Sequence, residues 1–564
     1  ITPENYDSKH ISISCSVCQQ KIYPYHLIYH KKTHKALTLL GFDSLQTKTD
    51  NETLLAQRQK LISKLTKIPK YSETYRQKID DSFEFLMESH TPTSYCDLAS
   101  ISTPSTSKKI NNSLIKALSI CQDKNSTWQR DMEDRFIVLE NYGNRSDTCF
   151  LGLVDGCHGA TAAEIVAAEL PLLFLEQLAQ TDSSYKKSKK EQQILDSFAT
   201  VIKADYREIE KIFSDKTSND KTNKTNIYEW IHKAYAKSFW RMDRLLRLGR
   251  NEVSKVRWSG CSAVTCLVER ATSEETDGTE EEERKHFETT PQSPLARTAR
   301  GAGLLHVANV GNAHAVLCKN GKSYCLSKEH STSNVSERKR VLQNGGNIST
   351  NQPDGLVEGH LRTTRGLGHH GDPVLKRSVI PVPHTISVPI DDTCQFLILA
   401  SNGLWEVLDC NEVLALTLTT FTRYMSMYEC LQQKGTSLLN CHYSTPPTED
   451  NLNDPKTTED LHDGTEILYS NKDTFPDSES NLKQSQELLK TVSPVGSKAS
   501  PQFEEDTKTY PSNCRSGTAG IDRVTSKPPY DSAASYVSEQ LVKAALAAGS
   551  RDNITILIVL LNGC

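Results

Sequence analysis

Four carboxylates in this 564-residue chain stand where core packing does not call for them: Glu133 and Asp134 ahead of an apolar run, Asp155 closing Phe150–Val154, and Asp552 just before Ile554–Leu561. Strand ends are where functional side chains collect on a rigid scaffold. Brought together, such carboxylates repel one another unless a cation neutralises them, and hard divalent ions take oxygen ligands. The set therefore points to Mg²⁺ or Mn²⁺. Taken singly, each is an ordinary turn or cap residue, because Asp is favoured at such places. A second cluster has different chemistry. Cys15 and Cys18, then His30 and His34, have the ligand types of a zinc site, and the eleven residues between Cys18 and His30 approach the gap of about 12 in Cys-Cys-His-His fingers. His30 and His34, four apart, share one face of a helix, and Ile22 and Leu27 stand where such an element keeps its small core. His26 is an alternative ligand, and Pro24 lies inside the interval.

The elements that must position these residues follow from apolar periodicity. Strands are expected at Arg135–Glu140 and Cys149–Val154, then a Gly-containing turn and a helix over Ala160–Leu178. Further helices fall at Leu54–Leu65, Gln192–Phe213, Ile227–Leu248, Cys410–Cys430 and Ala533–Ala548. Strands recur at Ser262–Glu269, Gly303–Val310, Ala313–Cys318, Thr385–Val388, Cys394–Ala400 and Ile554–Leu561, with a hairpin through Asn320-Gly321. Residues 1–40 form a small Cys/His element and 41–114 a helical segment with a linker, Ser100–Lys108. The main domain runs over 115–562, interrupted by an acidic insertion near 271–300 and by a stretch near 440–529 too poor in aliphatic residues to offset its ordering entropy. Trp128, Trp258 and Trp405 read as core or rim packing, and His369-His370 as a solvated loop.

Composition narrows the classes. Lys plus Arg (66) nearly balance Asp plus Glu (70), so no global field selects nucleic acid or an acidic membrane surface. The sixteen Cys are scattered rather than arranged as a secreted disulfide framework. The longest apolar runs fall well short of the roughly 20 residues that span a bilayer. A soluble, intracellular protein of the cytoplasm or nucleus is expected, monomeric and without a membrane partner. Residue 1 is Ile rather than Met, which leaves targeting information upstream open.

In order along the chain, Met132-Glu133-Asp134, Val154-Asp155-Gly156 with His158-Gly159, and Ser259-Gly260-Cys261-Ser262-Ala263 resemble motifs of the metal-dependent protein phosphatase 2C family. So do Val310-Gly311-Asn312-Ala313-His314, Glu329-His330 with Glu337-Arg338, Arg365-Gly366-Leu367-Gly368, Leu399–Glu406 and Gly549–Asn553. The resemblance implies an α+β fold: two face-packed antiparallel sheets flanked by helices on both sides, with a pair of metal ions at one end of the cleft. It implies one ion on Glu133, Asp155 and the Gly156 carbonyl, with Asp134 orienting a water. The second ion would need Asp155, Asp552 and position 402, where the family has Asp and this chain has Asn402. Other positions depart as well. The family's phosphate-binding Arg falls on Gln129, with Arg130 adjacent; its Asp-Gly-His is Asp155-Gly156-Cys157, with His158 one residue late; and two further family Asp positions are Asn312 and His369.

The expectation is therefore a phosphatase 2C-like domain impaired in catalysis, a pseudophosphatase that binds phosphorylated or other signalling proteins. The alternative is an active metal-dependent protein serine/threonine phosphatase. A third reading is a zinc-dependent recognition module at the amino terminus, aimed at protein rather than nucleic acid.

Overall fold

Ile554–Leu561 is almost unbroken aliphatic sequence, and a strand of that kind needs apolar cover on both faces. The structure, a computed structural model, provides it. Ile554, Ile556, Ile558 and Leu560 face a helical layer, while Leu557, Val559 and Leu561 face a second sheet. The structure describes residues 11–65, 72–88, 104–198, 227–249, 254, 256–270, 303–349, 355–433 and 529–564. The acidic insertion, the stretch expected to be unable to fold, and residues 199–213 of the expected Gln192–Phe213 helix lie outside the described residues.

The amino-terminal part comprises β1 (Ile13–Ser14), β2 (Lys21–Ile22), α1 (Pro24–Leu39), α2 (Asn51–Leu65) and α3 (Ser72–Met87). The main fold continues with β3 (Ser105–Lys108), β4 (Ile115–Asp123), β5 (Arg135–Leu139), β6 (Cys149–Cys157), α4 (Thr161–Thr181), α5 (Lys189–Asp196) and α6 (Glu229–Leu248). Next come β7 (Gly260–Arg270), β8 (Gly303–Val310), β9 (His314–Lys319), β10 (Lys322–Cys325), α7 (Val335–Gln343), β11 (Leu367–Gly368) and α8 (Pro373–Ser378). The chain then forms β12 (His384–Ile390), β13 (Cys394–Ala400), α9 (Asn402–Trp405), α10 (Cys410–Gln433), α11 (Tyr530–Ala547) and β14 (Ile554–Leu561).

One six-stranded sheet has the order β10-β9-β13-β14-β4-β3; the other runs β12-β8-β7-β6-β5, with β11 paired to β7. The named strand pairs are antiparallel. Leu151, Leu153, Val264 and Val307 of one sheet meet Leu118, Leu317, Leu399 and Val559 of the other in the inter-sheet core. Phe150, Val154 and Ala263 turn the opposite way, against Val166 and Phe174 of α4 and Tyr235 and Phe239 of α6. On the far side, Ile398 and Ile556 pack against Val413 of α10 and Val537 and Leu541 of α11. The α+β sandwich with helices on both outer faces is therefore present.

One stretch corrects the sequence reading. Ser105–Lys108, read as linker from its polar composition, is the edge strand β3, paired from Ser105↔Cys121 to Lys108↔Leu118. It carries no aliphatic signal because its backbone does the pairing, and Ser105 anchors it by donating to Glu539 Oε1 at 2.6 Å.

A buried ion network fastens α7 to the loop before β11. Glu337 accepts from Arg365 Nη2 at 2.6 Å, Arg340 Nη2 at 3.1 Å and Thr364 Oγ1 at 2.9 Å. Burial alone would raise the Glu337 carboxyl, but Arg365, then Arg340 and Thr364, outweigh it and hold it at about 2. Its stabilising effect is thus complete above the unfolded carboxyl range and fades as the pH falls towards the folded value. Glu337→Gln is expected to cost about 3–5 kcal/mol at neutral pH, since two guanidinium groups lose their partner. In chemical denaturation over a pH series, the gap to the unsubstituted protein is expected to close from about pH 4.3 downward.

Candidate functional site

The ends of four strands meet at one edge of the sandwich. Arg135 at the start of β5 pairs with Val154, so Glu133 and Asp134 arrive beside Asp155-Gly156 at the end of β6. The backbone of Glu133 passes so close that a Cβ on Gly156 would lie 2.5 Å from the Glu133 carbonyl oxygen. From the other sheet, β13 ends at Ala400 opposite Ile556 of β14, which brings Asn402 at the start of α9 next to Asp552.

Asn402 joins the two sheets. Its backbone N–H donates to Asp155 Oδ2 at 2.7 Å, and its side-chain amide donates to Asp552 Oδ2 at 3.1 Å. Thr555 donates its hydroxyl to Asp134 Oδ2 at 2.8 Å, and the Gly159 N–H donates to Glu133 Oε1 at 3.0 Å. Asn553, noticed in the sequence only as part of a motif, is the organising residue of the cluster. Its Oδ1 accepts from the Glu133 N–H at 2.8 Å, and its amide donates to the Lys124 carbonyl at 2.7 Å and the Asp131 carbonyl at 3.1 Å.

Burial raises the Asp134 carboxyl to about 7, against the pull of the Thr555 and Ser401 hydroxyls and with a contribution from the Asp552 charge. Burial also pushes Asp155 well above the usual carboxylate range, helped by the charges of Asp134 and Asp552 and opposed by the Asn402 N–H. Beside them, burial and the same negative surroundings push the Cys157 thiol up to about 12, so it stays protonated.

The oxygen donors fit one hard cation better than two. Glu133, Asp155 and the Gly156 carbonyl are of the right chemistry and share one corner. Around Asp155, Asn402 and Asp552, hydrogen bonds from the chain take one Asp155 oxygen and both Asp552 oxygens, while the Gly159 N–H takes one Glu133 oxygen. Among the described residues, the one place where ligand atoms of three or more Cys, His, Asp or Glu converge within 4.8 Å is Cys15, Cys18, His30 and His34. With an amide at position 402, the second of the two expected sites is one anion short of a carboxylate set.

The remaining candidates are dispersed around this centre. Gln129 donates to the Arg551 carbonyl at 2.8 Å, and Arg130 beside it is exposed. Trp128 and Trp258 are rim residues, the former lying under the Arg551 guanidinium at 4.6 Å. His158 leaves β6 with a φ of 59°, and its ring meets that of His369, centroids 6.1 Å apart. His369 corrects the reading of a solvated loop: it is buried and fills the space left by Gly260, where a Cβ would lie 2.1 Å from its Nε2. Burial, then Lys376 and His158, lowers its imidazole to about 4. The carboxylate in that neighbourhood is Asp243 of α6, which the sequence did not single out. It accepts from Lys376 Nζ at 2.7 Å and the Gly368 N–H at 2.9 Å. A lone Asp on an amphipathic helix gives no local signal of such a role.

At the amino terminus, His30 Nε2 lies 3.2 Å from Cys18 Sγ and 3.1 Å from His34 Nε2, with Cys15 completing the group. His26 is outside it. Pro24 occupies the first turn of α1, where its missing N–H costs nothing.

The fold and the cleft define a phosphatase-like domain of the 2C type, and sequence comparison agrees. Residues 204–435 match the family model for protein phosphatase 2C. The chain is 43% identical to Homo sapiens protein phosphatase 2C-like domain-containing protein 1, across 98% of this chain and 89% of that protein. It is 37% identical to the Mus musculus protein of the same name, across 98% and 88%. Saccharomyces cerevisiae protein phosphatase 2C homolog 1 is 26% identical over 51% of this chain and 78% of that protein. This chain belongs to the protein phosphatase 2C family, whose members are generally Mg²⁺- or Mn²⁺-dependent. Among the described residues, no helix is long and apolar enough to cross a membrane.

Because Asn553 is buried and satisfies three backbone groups, Asn553→Ala is expected to lower stability by about 1–3 kcal/mol. Urea unfolding should show a lower midpoint with an unchanged slope.

Proposed function

We propose that this domain keeps the phosphatase 2C architecture but is impaired in hydrolysis, and that it serves to bind phosphorylated or other signalling proteins. The observation that supports this most is Asn402. At a position where a second dication would need a carboxylate, the chain places an amide that donates to Asp552. An amide brings no negative charge, and here its N–H points at the anion a cation would have used. Loss of a partner that merely orients a metal ligand typically costs roughly 10- to 100-fold in affinity, and loss of a ligating carboxylate should cost at least that.

In a metal-dependent phosphatase the bound ions generate the nucleophile from water and stabilise the transferring phosphoryl group. The chain's own residues offer little to replace them. Cys157 is held as a thiol and is a poor nucleophile. His158 is turned towards His369. Gln129 is committed to the Arg551 carbonyl, which leaves the exposed Arg130 as the neighbouring cation for a phosphoryl oxygen. Groups that act as a unit are strongly non-additive, so one missing ion can remove most of the rate.

The alternative of a retained phosphatase is favoured by Glu133, Asp155 and Gly156, which keep the donors for one cation. The test compares the full chain with Asn402→Asp by Mn²⁺ calorimetry and by phosphate release from a phosphoserine peptide. The unsubstituted chain is expected to bind the peptide with little release, and Asn402→Asp to gain both a second Mn²⁺ and turnover. Rapid release by the unsubstituted chain, abolished in Asp155→Ala, overturns the proposal.

A further inference from the structure

The Cys/His cluster lies outside the cleft, and its geometry and surroundings carry a separate conclusion. The turn between β1 and β2 is closed by the Gln19 N–H donating to the Cys15 carbonyl at 2.9 Å and the Cys15 N–H donating to the Gln20 carbonyl at 2.9 Å. Gln19 adopts a φ of 61° to make that turn. Cys15 and Cys18 therefore face the same point from the knuckle, and His30 and His34 face it from successive turns of α1. Tetrahedral Zn²⁺, with Zn–S near 2.3 Å and Zn–N near 2.0–2.1 Å, holds S and N ligands at roughly 3.4–3.6 Å from one another. The 3.2 Å Cys18–His30 and 3.1 Å His30–His34 separations are close to that. Two thiols and two imidazoles are softer ligands than Mg²⁺ accepts.

The residues next to these ligands are the ones that grip the phosphatase fold. Ser16, inside the Cys15–Cys18 knuckle, donates to Asp409 Oδ2 at 2.5 Å. Lys31, which follows His30, donates to the Val407 carbonyl at 3.0 Å and pairs with the buried Glu412. Ile11, Ile13 and Leu27 enter the same core as Leu408, Val413 and Ile556. Ile28 lies beside Gly549, in the loop that leads to Asp552. Val407–Glu412 directly follows α9, the helix that begins with Asn402.

A finger that reads DNA presents side chains at positions −1, 3 and 6 of its helix. With α1 starting at Pro24, those are Tyr23, His26 and Tyr29, none of them the Arg, Lys, Asn or Gln that pairs with base edges. The Lys31 cation is already committed to Glu412.

We infer that Cys15, Cys18, His30 and His34 bind one Zn²⁺, releasing the two thiol protons, and that the ion turns residues 11–40 into a clamp on the phosphatase fold at Val407–Glu412. This holds whatever the catalytic status of the cleft, because it uses other residues and another metal. The test uses the full chain. Elemental analysis is expected to find one zinc per chain, and Co²⁺ exchange to give the visible spectrum of a tetrahedral thiolate–imidazole site; Cys18→Ser should lose both. Hydrogen exchange should accelerate at Asn402–Glu412 on chelation of the unsubstituted protein. Lys31→Met, which spares the ligands, should keep the zinc and accelerate exchange in the same segment, so the clamp is tested even if Cys18→Ser does not fold. Absence of zinc and of the cobalt spectrum overturns the site. Unchanged exchange at Asn402–Glu412 after zinc removal overturns the clamp, as does zinc-dependent, salt-sensitive DNA binding by the full chain.

Discussion

Carboxylates buried side by side repel, and a fold that gathers them must supply compensating positive charge or hydrogen-bond donors. Asp134 and Asp155 are both almost fully buried, and Asp552 accepts from the Asn402 amide beside them. Here the donors come largely from the chain: the Asn402 backbone and amide, the Thr555 hydroxyl and the Asn553 N–H. Each such bond lowers the cost of burying a carboxylate without a cation, and each also occupies an oxygen that a cation would coordinate. The same cluster ties the two sheets together, since the Asn402–Asp155 and Thr555–Asp134 bonds cross between them. An amide in place of a carboxylate at position 402 thus removes a charge while leaving the scaffold connected.

The rest of the architecture serves that arrangement. Aliphatic strands covered on both faces hold the strand ends in register, and the outer helical layers exclude water from the sheets. The amino-terminal element adds a third anchorage. Its contacts at Val407–Glu412 sit immediately after the short helix bearing Asn402, and its Ile28 lies beside the loop leading to Asp552. Two metals of opposite character, a hard one at the cleft and a soft one at the knuckle, would then bear on the same short stretch of chain from opposite ends.

Much of this was legible in the sequence because the signals were local. Gly303–Val310, Cys394–Ala400 and Ile554–Leu561 are strands with the bounds their apolar runs suggest. The ordered motifs ending in Gly549–Asn553 led to the fold, and the spacing of Cys15, Cys18, His30 and His34 brought those four side chains together. What escaped has no local signature. Ser105–Lys108 is a strand only because β4 offers it a partner. His369 is buried because Gly260, more than a hundred residues earlier, leaves room for its ring. Asp243 matters because α6 carries it under the Gly368–His370 loop. The donor role of the Asn402 amide likewise depends on where Asp552 lies in space.

Manganese anomalous scattering from crystals soaked in Mn²⁺ addresses the cleft most directly. One peak is expected, against Glu133, Asp155 and the Gly156 carbonyl, with the Asn402 amide still turned to Asp552. Two peaks of comparable height, the second bridged by Asp155, Asn402 and Asp552, would contradict it.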